Sequence, residues 1–344
     1  MHRVYLGLGL TLIFLTGCIP AVVCPNALRS PSAPLPDWES RLDPQPPNLR
    51  SEDEVRILVF GDSGKRRSFQ AVAAGMARAC RGECDFALML GDNVYFKGPV
   101  RSASRLLQKH FREPLGDAFA GVPFWAVLGN HGYLGCPQQQ VQWTYGPTGS
   151  DQPVWRMPAS RFAVPDLPDW LHIYAYDSNV LVQGRLDVTT RNREPELDGI
   201  REGLCGRQGW RILIGHHPLY SAGFHAGSRS MESVHQSVWP VIEECDIQLY
   251  FAGHDHDQQV IDLGNFVQVV QGAASKLRSR KLDVVPVGNE RTVEPDYFQE
   301  MGFAIATFTE VNLTLEFFGE DGRPLKKSAT ESQPAVWSFP RQRF

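Results

Sequence analysis

The chain has 344 residues, 42% of them hydrophobic, and a formal net charge of -4. That length and apolar content suffice for one large core, so a single main domain is expected. The slight net acidity, with no Lys/Arg run of the kind that marks a nucleic-acid surface, argues against a polymeric nucleic acid as partner.

In chain order, His2 and Arg3 precede an apolar stretch from Val4 to Leu15, which leads into Leu15-Thr16-Gly17-Cys18. A basic head and a short apolar run make an export signal, and the run falls short of the roughly 20 residues a spanning helix needs. Leu-Thr-Gly-Cys resembles the bacterial lipobox. Residues 1–18 are therefore expected to be a lipoprotein-type signal peptide, with Cys18 lipidated and holding the chain to a membrane; simple secretion is the alternative. Ile19 stands where an inner-membrane retention signal would have aspartate, which favours the outer membrane or cell surface. With Cys18 given to lipid, six of the seven cysteines remain, at Cys24, Cys80, Cys84, Cys136, Cys205 and Cys245. An even set in an oxidising compartment predicts disulfides, and Cys80 with Cys84 is the first pair expected. Residues 19–50 carry eight prolines and read as an extended tether.

The folded domain is expected over residues 51–325. Val55 to Phe60 is a continuous β-prone run ending in Gly61-Asp62, followed by helix-forming residues from Ser68 to Ala79. Phe86 to Leu90 repeats the pattern and ends in Gly91-Asp92, and Phe124 to Leu128 ends in Gly129-Asn130. Strand, polar loop, helix is the recurring unit. Further helices are predicted at Ser104–Phe111 and His235–Glu244, and strands at Leu171–Tyr176, Ile212–Ile214, Ile247–Phe251, Val260–Leu263, Phe266–Val270, Phe303–Val311 and Leu313–Phe318. Tyr133 to Ser160 reads as a long irregular excursion, Glu320-Asp321-Gly322 as a hairpin turn, and residues 326–344 as a polar tail. Trp125, Trp143, Trp155 and Trp170 read as packing residues. Asn312-Leu313-Thr314 fits a glycosylation sequon, a tripeptide common by chance.

The polar loops hold the chemistry. Ligands in open α/β sheets gather beyond the carboxyl ends of strands, so loops after separate strands can meet at one site. Asp62, Asp92, Tyr95, Asn130, His216, His254 and His256 offer carboxylate, phenolate, carboxamide and imidazole, a set suited to two hard or borderline cations. Two cations about 3.5–4 Å apart clamp the attacking and leaving oxygens of an in-line displacement. His254 and His256, two apart in an extended segment, project from one side and can serve two neighbouring ions. Asp92 can bridge them, and a phenolate ligand favours ferric iron. Taken singly, Gly-Asp is an ordinary turn and a lone histidine is usually structural; the weight lies in their joint occurrence.

Gly-Asp-x-Gly, Gly-Asp-Asn-x-Tyr, Gly-Asn-His, Gly-His-x-Pro and Gly-His-x-His, in that order, resemble the calcineurin-like metallophosphoesterase superfamily. Tyr95 makes the chain similar to the purple acid phosphatases, of the small tartrate-resistant acid phosphatase type. The resemblance spans about Val55 to Leu325. It implies an α/β fold, a four-layer α/β/β/α sandwich of two mixed β-sheets with a dinuclear metal site at one sheet edge. It further implies Fe(III) on Asp62, Asp92, Tyr95 and His256, and Fe(II), Zn(II) or Mn(II) on Asp92, Asn130, His216 and His254. His131 would contact the substrate phosphate and assist the leaving group; His217 and His225 are outer candidates. One departure stands out: Gly132 occupies the position where the family usually has an acid beside that histidine. The expected function is acid phosphatase action on small phosphomonoesters, by in-line attack of a metal-bound hydroxide, in a chain that is monomeric. A phosphodiesterase or nucleotidase with the same centre, and a non-catalytic metal- or phosphate-binding lipoprotein, are the alternatives.

Overall fold

The computed structural model describes residues 47, 49–99, 104–144, 152–182, 193–288, 291–327 and 333–344. The expected signal peptide over residues 1–18, Cys18 and nearly all of the expected 19–50 tether lie outside the described residues. The first half of the chain runs β1 (Glu54–Phe60), α1 (Arg66–Cys80), β2 (Phe86–Met89), α2 (Ser104–Leu107), α3 (Glu113–Leu115), β3 (Pro123–Ala126), α4 (Gln138–Trp143), β4 (Val154–Arg156), β5 (Phe162–Ala163) and β6 (Leu171–Ala175). The second half runs α5 (Glu194–Leu204), β7 (Trp210–Ile214), α6 (Arg229–Glu244), β8 (Leu249–Ala252), β9 (Gln258–Asp262), β10 (Val267–Gln271), β11 (Val285–Val287), β12 (Arg291–Val293), β13 (Asp296–Phe298), β14 (Gly302–Thr309), β15 (Asn312–Gly319) and β16 (Val336–Pro340).

These strands form two large mixed sheets. One has the order β16-β15-β14-β1-β2-β3-β4, the other β13-β9-β10-β8-β7-β6-β5, and β11 with β12 makes a separate small hairpin. In the first sheet β1, β2, β3 and β4 are mutually parallel, with β14 antiparallel against β1. In the second, β6, β7, β8 and β10 are parallel. The sheets face each other through one apolar cluster that draws Ile57 and Leu88 from the first and Ile212, Phe251 and Val269 from the second. Parallel strands buried on both faces read as continuous apolar runs, as Ile57 to Phe60 and Leu249 to Ala252 do. Helix α1 covers the outside of the first sheet, burying Phe69, Val72, Ala73 and Met76 at helical spacing. Helix α6 covers the second with Val234, Val238, Val241 and Ile242. The result is the four-layer α/β/β/α arrangement.

Three local expectations are corrected. The stretch expected as a polar tail from residue 326 supplies β16, which pairs antiparallel with β15 and buries Trp337 and Phe339 on alternate positions. The excursion from Tyr133 to Ser160 holds α4 and β4, the latter extending the first sheet beside β3. Helix α6 begins at Arg229, earlier than His235, because the Ser228 side chain accepts from Met231 N and caps it. The expected Cys80–Cys84 disulfide forms, with Cα atoms 5.3 Å apart. A second, Cys205–Cys245, ties the end of α5 to the end of α6. Trp125 and Trp155 are 2% exposed, in keeping with packing roles. Among the described residues no helix is long and apolar enough to cross a membrane.

Candidate metal centre

The five motif loops leave the carboxyl ends of β1, β2, β3, β7 and β8, three from one sheet and two from the other. They are bound to one another. Asp62 N donates to Gly91 O (3.0 Å), Gly64 N to Asp92 O (3.0 Å), and Gly253 N to His216 O (3.0 Å). The motif glycines are there because nothing larger fits: a Cβ on Gly129 would lie 2.2 Å from Asp92 Oδ1, and one on Gly253 would lie 2.7 Å from Asp62 Oδ2. Asp62 (φ 59), Asp92 (φ 49) and His254 (φ 68) all hold left-handed backbone. Such conformations cost about 1–3 kcal/mol each and gather at functional sites.

The seven predicted ligand residues meet in two adjoining groups. In one, Tyr95 Oη lies 2.7 Å from Asp62 Oδ1 and 3.1 Å from His256 Nε2, and the last two are 3.2 Å apart. In the other, His216 Nε2 lies 2.9 Å from Asn130 Oδ1, His254 Nδ1 lies 3.1 Å from the same oxygen, and the two ring nitrogens are 3.2 Å apart. Asp92 sits between. Its Oδ1 accepts from His131 N (2.9 Å), while Oδ2 is 3.7 Å from His216 Nε2. Potential ligand atoms of Asp62, Asp92 and His216 lie within 4.8 Å of one another, and so do those of His216, His217 and His254.

Does this donor set fit a pair of cations? His216 Nδ1 contacts Leu90 O at 2.8 Å and must donate to it, so Nε2 turns a lone pair toward Asn130 Oδ1 and His254 Nδ1. Acceptors facing acceptors in a buried site repel unless a cation lies among them. The far nitrogens His254 Nε2 and His256 Nδ1 are buried without a hydrogen-bond partner. Burial pushes His256 down to about 3, with the charge of Lys276 adding to the effect, and burial with the neighbouring imidazoles pushes His254 well below its usual range. Neutral imidazoles are what a metal needs. Burial chiefly, with the Asp92 charge, raises Asp62 to about 7, and burial with Asp62 and Asp92 also raises Tyr95. Two carboxylates and a phenol packed this way ionise together only against strong positive charge. The residues fit.

His217 stands apart from the set. Ser178 Oγ accepts from His216 N (3.2 Å) and His217 N (3.0 Å), so its one proton goes to His217 Nδ1 (2.9 Å) and the imidazole keeps its proton on Nε2. His131 is a quarter exposed, and its Nδ1 donates to Phe96 O at 2.8 Å. That carbonyl orients the ring where an acid after Gly-Asn-His was expected to. A Cβ on Gly132 would instead meet Gln140 Nε2 at 2.9 Å.

His225, left on the margin by sequence reasoning, is built into the centre. Its Nδ1 and its backbone N each lie 2.8 Å from Asp255 Oδ1, Ser221 Oγ donates to Asp255 Oδ2, and the ring stacks on His254 with centroids 4.1 Å apart. Asp255 thereby fixes the orientation of the His225 ring on the open side of the site. Asp255 lies inside the Gly-His-Asp-His motif, yet nothing in the sequence paired it with a residue thirty positions away.

Residues 55–258 match the family described as calcineurin-like phosphoesterase. The chain belongs to this family and is a metal-dependent phosphoester hydrolase. Purple acid phosphatase 17 of Arabidopsis thaliana is 25% identical over 83% of this chain and 86% of its own length. Human tartrate-resistant acid phosphatase type 5 is 25% identical over 71% of this chain and 78% of its own. Among solved structures, GAP50, the anchor in the inner membrane complex of Plasmodium, superposes with a TM-score of 0.63 at 18% identity, covering 82% of this chain and 88% of that one. Purple acid phosphatase PPD1 from yellow lupin seeds superposes with a TM-score of 0.58 at 14% identity, covering 86% of this chain and 55% of that one. These two likenesses speak to the fold.

Proposed function

We propose that this chain is an exported acid phosphatase acting on small phosphomonoesters at a dinuclear centre. The observation that carries the reading is the meeting of the phenol of Tyr95 with Asp62 and His256 on one side of Asp92, and of Asn130, His216 and His254 on the other. Fe(III) suits the first group, which offers two hard anionic oxygens; Fe(II), Zn(II) or Mn(II) suits the second, which is neutral apart from the shared Asp92. Bound there, the cations supply Lewis acidity and a water acidic enough to attack phosphorus in line.

The chain's own residues do the rest. Asp62 and Asp92 are locked by backbone donors, His254 N (2.8 Å) and His131 N (2.9 Å), so that one oxygen of each faces the centre without reorganisation. His131 Nε2, with Nδ1 committed to Phe96 O, faces the opening and is placed to hold a phosphoryl oxygen and to protonate a departing alkoxide. His225, oriented by Asp255, presents a second imidazole edge to the phosphate.

Export by residues 1–18, a lipid on Cys18 and the 19–50 tether complete the proposal. The disulfides Cys80–Cys84 and Cys205–Cys245 support an oxidising compartment. The decisive experiment is metal analysis and visible absorption of the soluble domain, wild type beside Tyr95→Phe, together with 4-nitrophenyl phosphate turnover. About two metals per chain, a broad visible band lost on substitution and acid-range turnover are expected. Two metals with no band and no monoester turnover would sink the acid phosphatase reading. Detergent-phase partitioning of the full chain, abolished by Cys18→Ala, tests the anchor.

A further inference from the structure

Three cations around the mouth of the centre have no part in the chemistry above. Lys65 follows the Asp62 loop, and Lys276 and Arg278 lie in the loop after β10. That loop is pinned to the centre. Ser275 Oγ donates to Asp62 O and accepts from Lys65 N (3.1 Å), while Arg278 N donates to His256 O (3.0 Å). The Arg278 guanidinium lies 4.1 Å over the Phe224 ring, and Lys276 Nζ lies 6.0 Å from the Tyr95 ring. Lys276 experiences the charges of Arg278 and Lys65 as well as those of Asp62 and Asp92.

Their neighbours show what settled cations look like in the same loop. Arg280 donates to Leu282 O and Asp283 O, and Lys281 Nζ to Ala226 O (2.6 Å). By contrast, among the described residues none of Lys65, Lys276 and Arg278 has a carboxylate within 4.0 Å, and Arg278 Nε is buried with no hydrogen-bond partner. Arg67 and the N-terminus of α1, whose first turn carries no acid, add to the local field, while Arg66 is paired with Glu113 at 2.8 Å. Like charges held together beside a dinuclear cation site raise the energy of the empty site, and an anion relieves it.

We propose that Lys65, Lys276 and Arg278 form a subsite for a second phosphoryl group, so that the centre favours phosphoanhydrides, whose leaving group is itself a phosphate, over simple monoesters. The proposal rests on the phosphatase reading of the same centre. In the reaction, water's oxygen bonds to the terminal phosphorus and the bridging P–O bond breaks. The departing phosphate keeps the bonding pair, and the proton released by water goes to solvent. Charge that grows on the departing phosphate is met by Lys276 and Arg278, so no protonation by His131 is needed.

The test compares inorganic pyrophosphate with 4-nitrophenyl phosphate in the metal-loaded enzyme, using Lys276→Ala/Arg278→Ala and the swap Lys276→Arg/Arg278→Lys. The ratio of kcat/KM, pyrophosphate over monoester, is expected to fall about tenfold in the alanine variant, mainly through KM, and to recover in the swap. A second readout is independent of turnover. Methylene diphosphonate should raise the melting temperature of wild type more than methylphosphonate does, and the alanine variant should lose that excess while its metal content stays at the wild-type value. An unchanged ratio with the excess retained would overturn the subsite. If wild type turned over neither substrate, the phosphatase reading would fail, and the melting temperatures would still decide the subsite.

Discussion

Two pairs of buried acids can be compared in this molecule. Asp62 and Asp92 lie at the centre; Asp177 and Glu196 lie beyond the end of β6 and on α5, and all four are at most 2% exposed. Asp177 accepts from Asn179 N (3.1 Å), Asn179 Nδ2 (2.9 Å) and the Tyr133 hydroxyl, and Glu196 accepts from Asp177 N (3.2 Å) and Arg161 (3.3 Å). That pair is surrounded by protons. At the centre each carboxylate has one backbone donor; the second oxygen of Asp62 accepts from the Tyr95 hydroxyl alone, and that of Asp92 faces His216 Nε2 at 3.7 Å. Buried acid is common to both; the centre has fewer donors for it, with Asp92 Oδ2 facing imidazole nitrogens at 3.7–3.8 Å. The difference teaches that a cation site is marked by the donors that are missing.

The largest break comes from the shared carboxylate. Asp92→Asn keeps the shape and removes the charge between the two groups. Metal content is expected to fall well below two per chain and kcat by about 10³-fold or more. Near-normal turnover with two metals retained would show that Asp92 does not join the groups. Tyr95→Phe sharpens the contrast between the halves, since it removes a hard anionic ligand from one and leaves the other whole. The visible band should vanish, with activity lower by about tenfold. A band that survives would take the phenol off the iron.

Much of this centre was legible because its ligands sit in loops that repeat one grammar, apolar run then Gly then polar residue, and glycines such as Gly129 and Gly253 are fixed by the close approach of Asp92 and Asp62 from other motifs. What the sequence hid was of two kinds. His225 and Asp255 are joined across thirty residues by a hydrogen bond that no spacing rule announces. Strand β16 was concealed because Val336-Trp337-Ser338-Phe339 is short and flanked by Gln, Pro and Arg, although its alternation is the period of a half-buried edge strand. Helix α5 was missed for a related reason. Glu194 to Leu204 carries two glycines and several charges, and its stability comes from burying Leu197, Ile200 and Leu204 rather than from propensity.

Removing metal tests the comparison through pH. In stripped protein Asp62 is raised to about 7, so the folded state keeps a proton that the unfolded chain releases. Stability from this source is full below 3.8 and lost as pH rises through about 7. His256, lowered to about 3, works the other way: its contribution is present above 6.5 and lost as pH falls toward 3. From these two groups stripped protein should be level between pH 3.8 and 6.5, where the opposing slopes cancel, and weaken below pH 3.8 and again from pH 6.5 to about 7. Bound cations hold Asp62 ionised and His256 neutral, so the gap in melting temperature between loaded and stripped protein should widen from pH 6.5 to pH 8. A gap that is flat or shrinks over that range would mean the acids at the centre do not carry the cations.

The smallest effect comes from the other pair, which contains no cation site to lose. Burial, with the Asp177 charge, raises Glu196 to about 7. An acid raised in the folded state contributes stability that is full below 4.5 and lost as pH rises through about 7, so at pH 8 the ionised Glu196 is a net cost. Glu196→Gln removes that ionisation but gives up one acceptor toward Arg161 or Asp177 N. The variant should lose slightly to wild type near pH 5 and gain about 1–2 kcal/mol on it by pH 8, about 2–4 °C in melting temperature per kcal/mol. Metal content should be unaltered. If Glu196→Gln instead lowered metal content as Asp92→Asn does, the two acid pairs would belong to one site, and the presence of donors around Asp177 and Glu196 would no longer separate them.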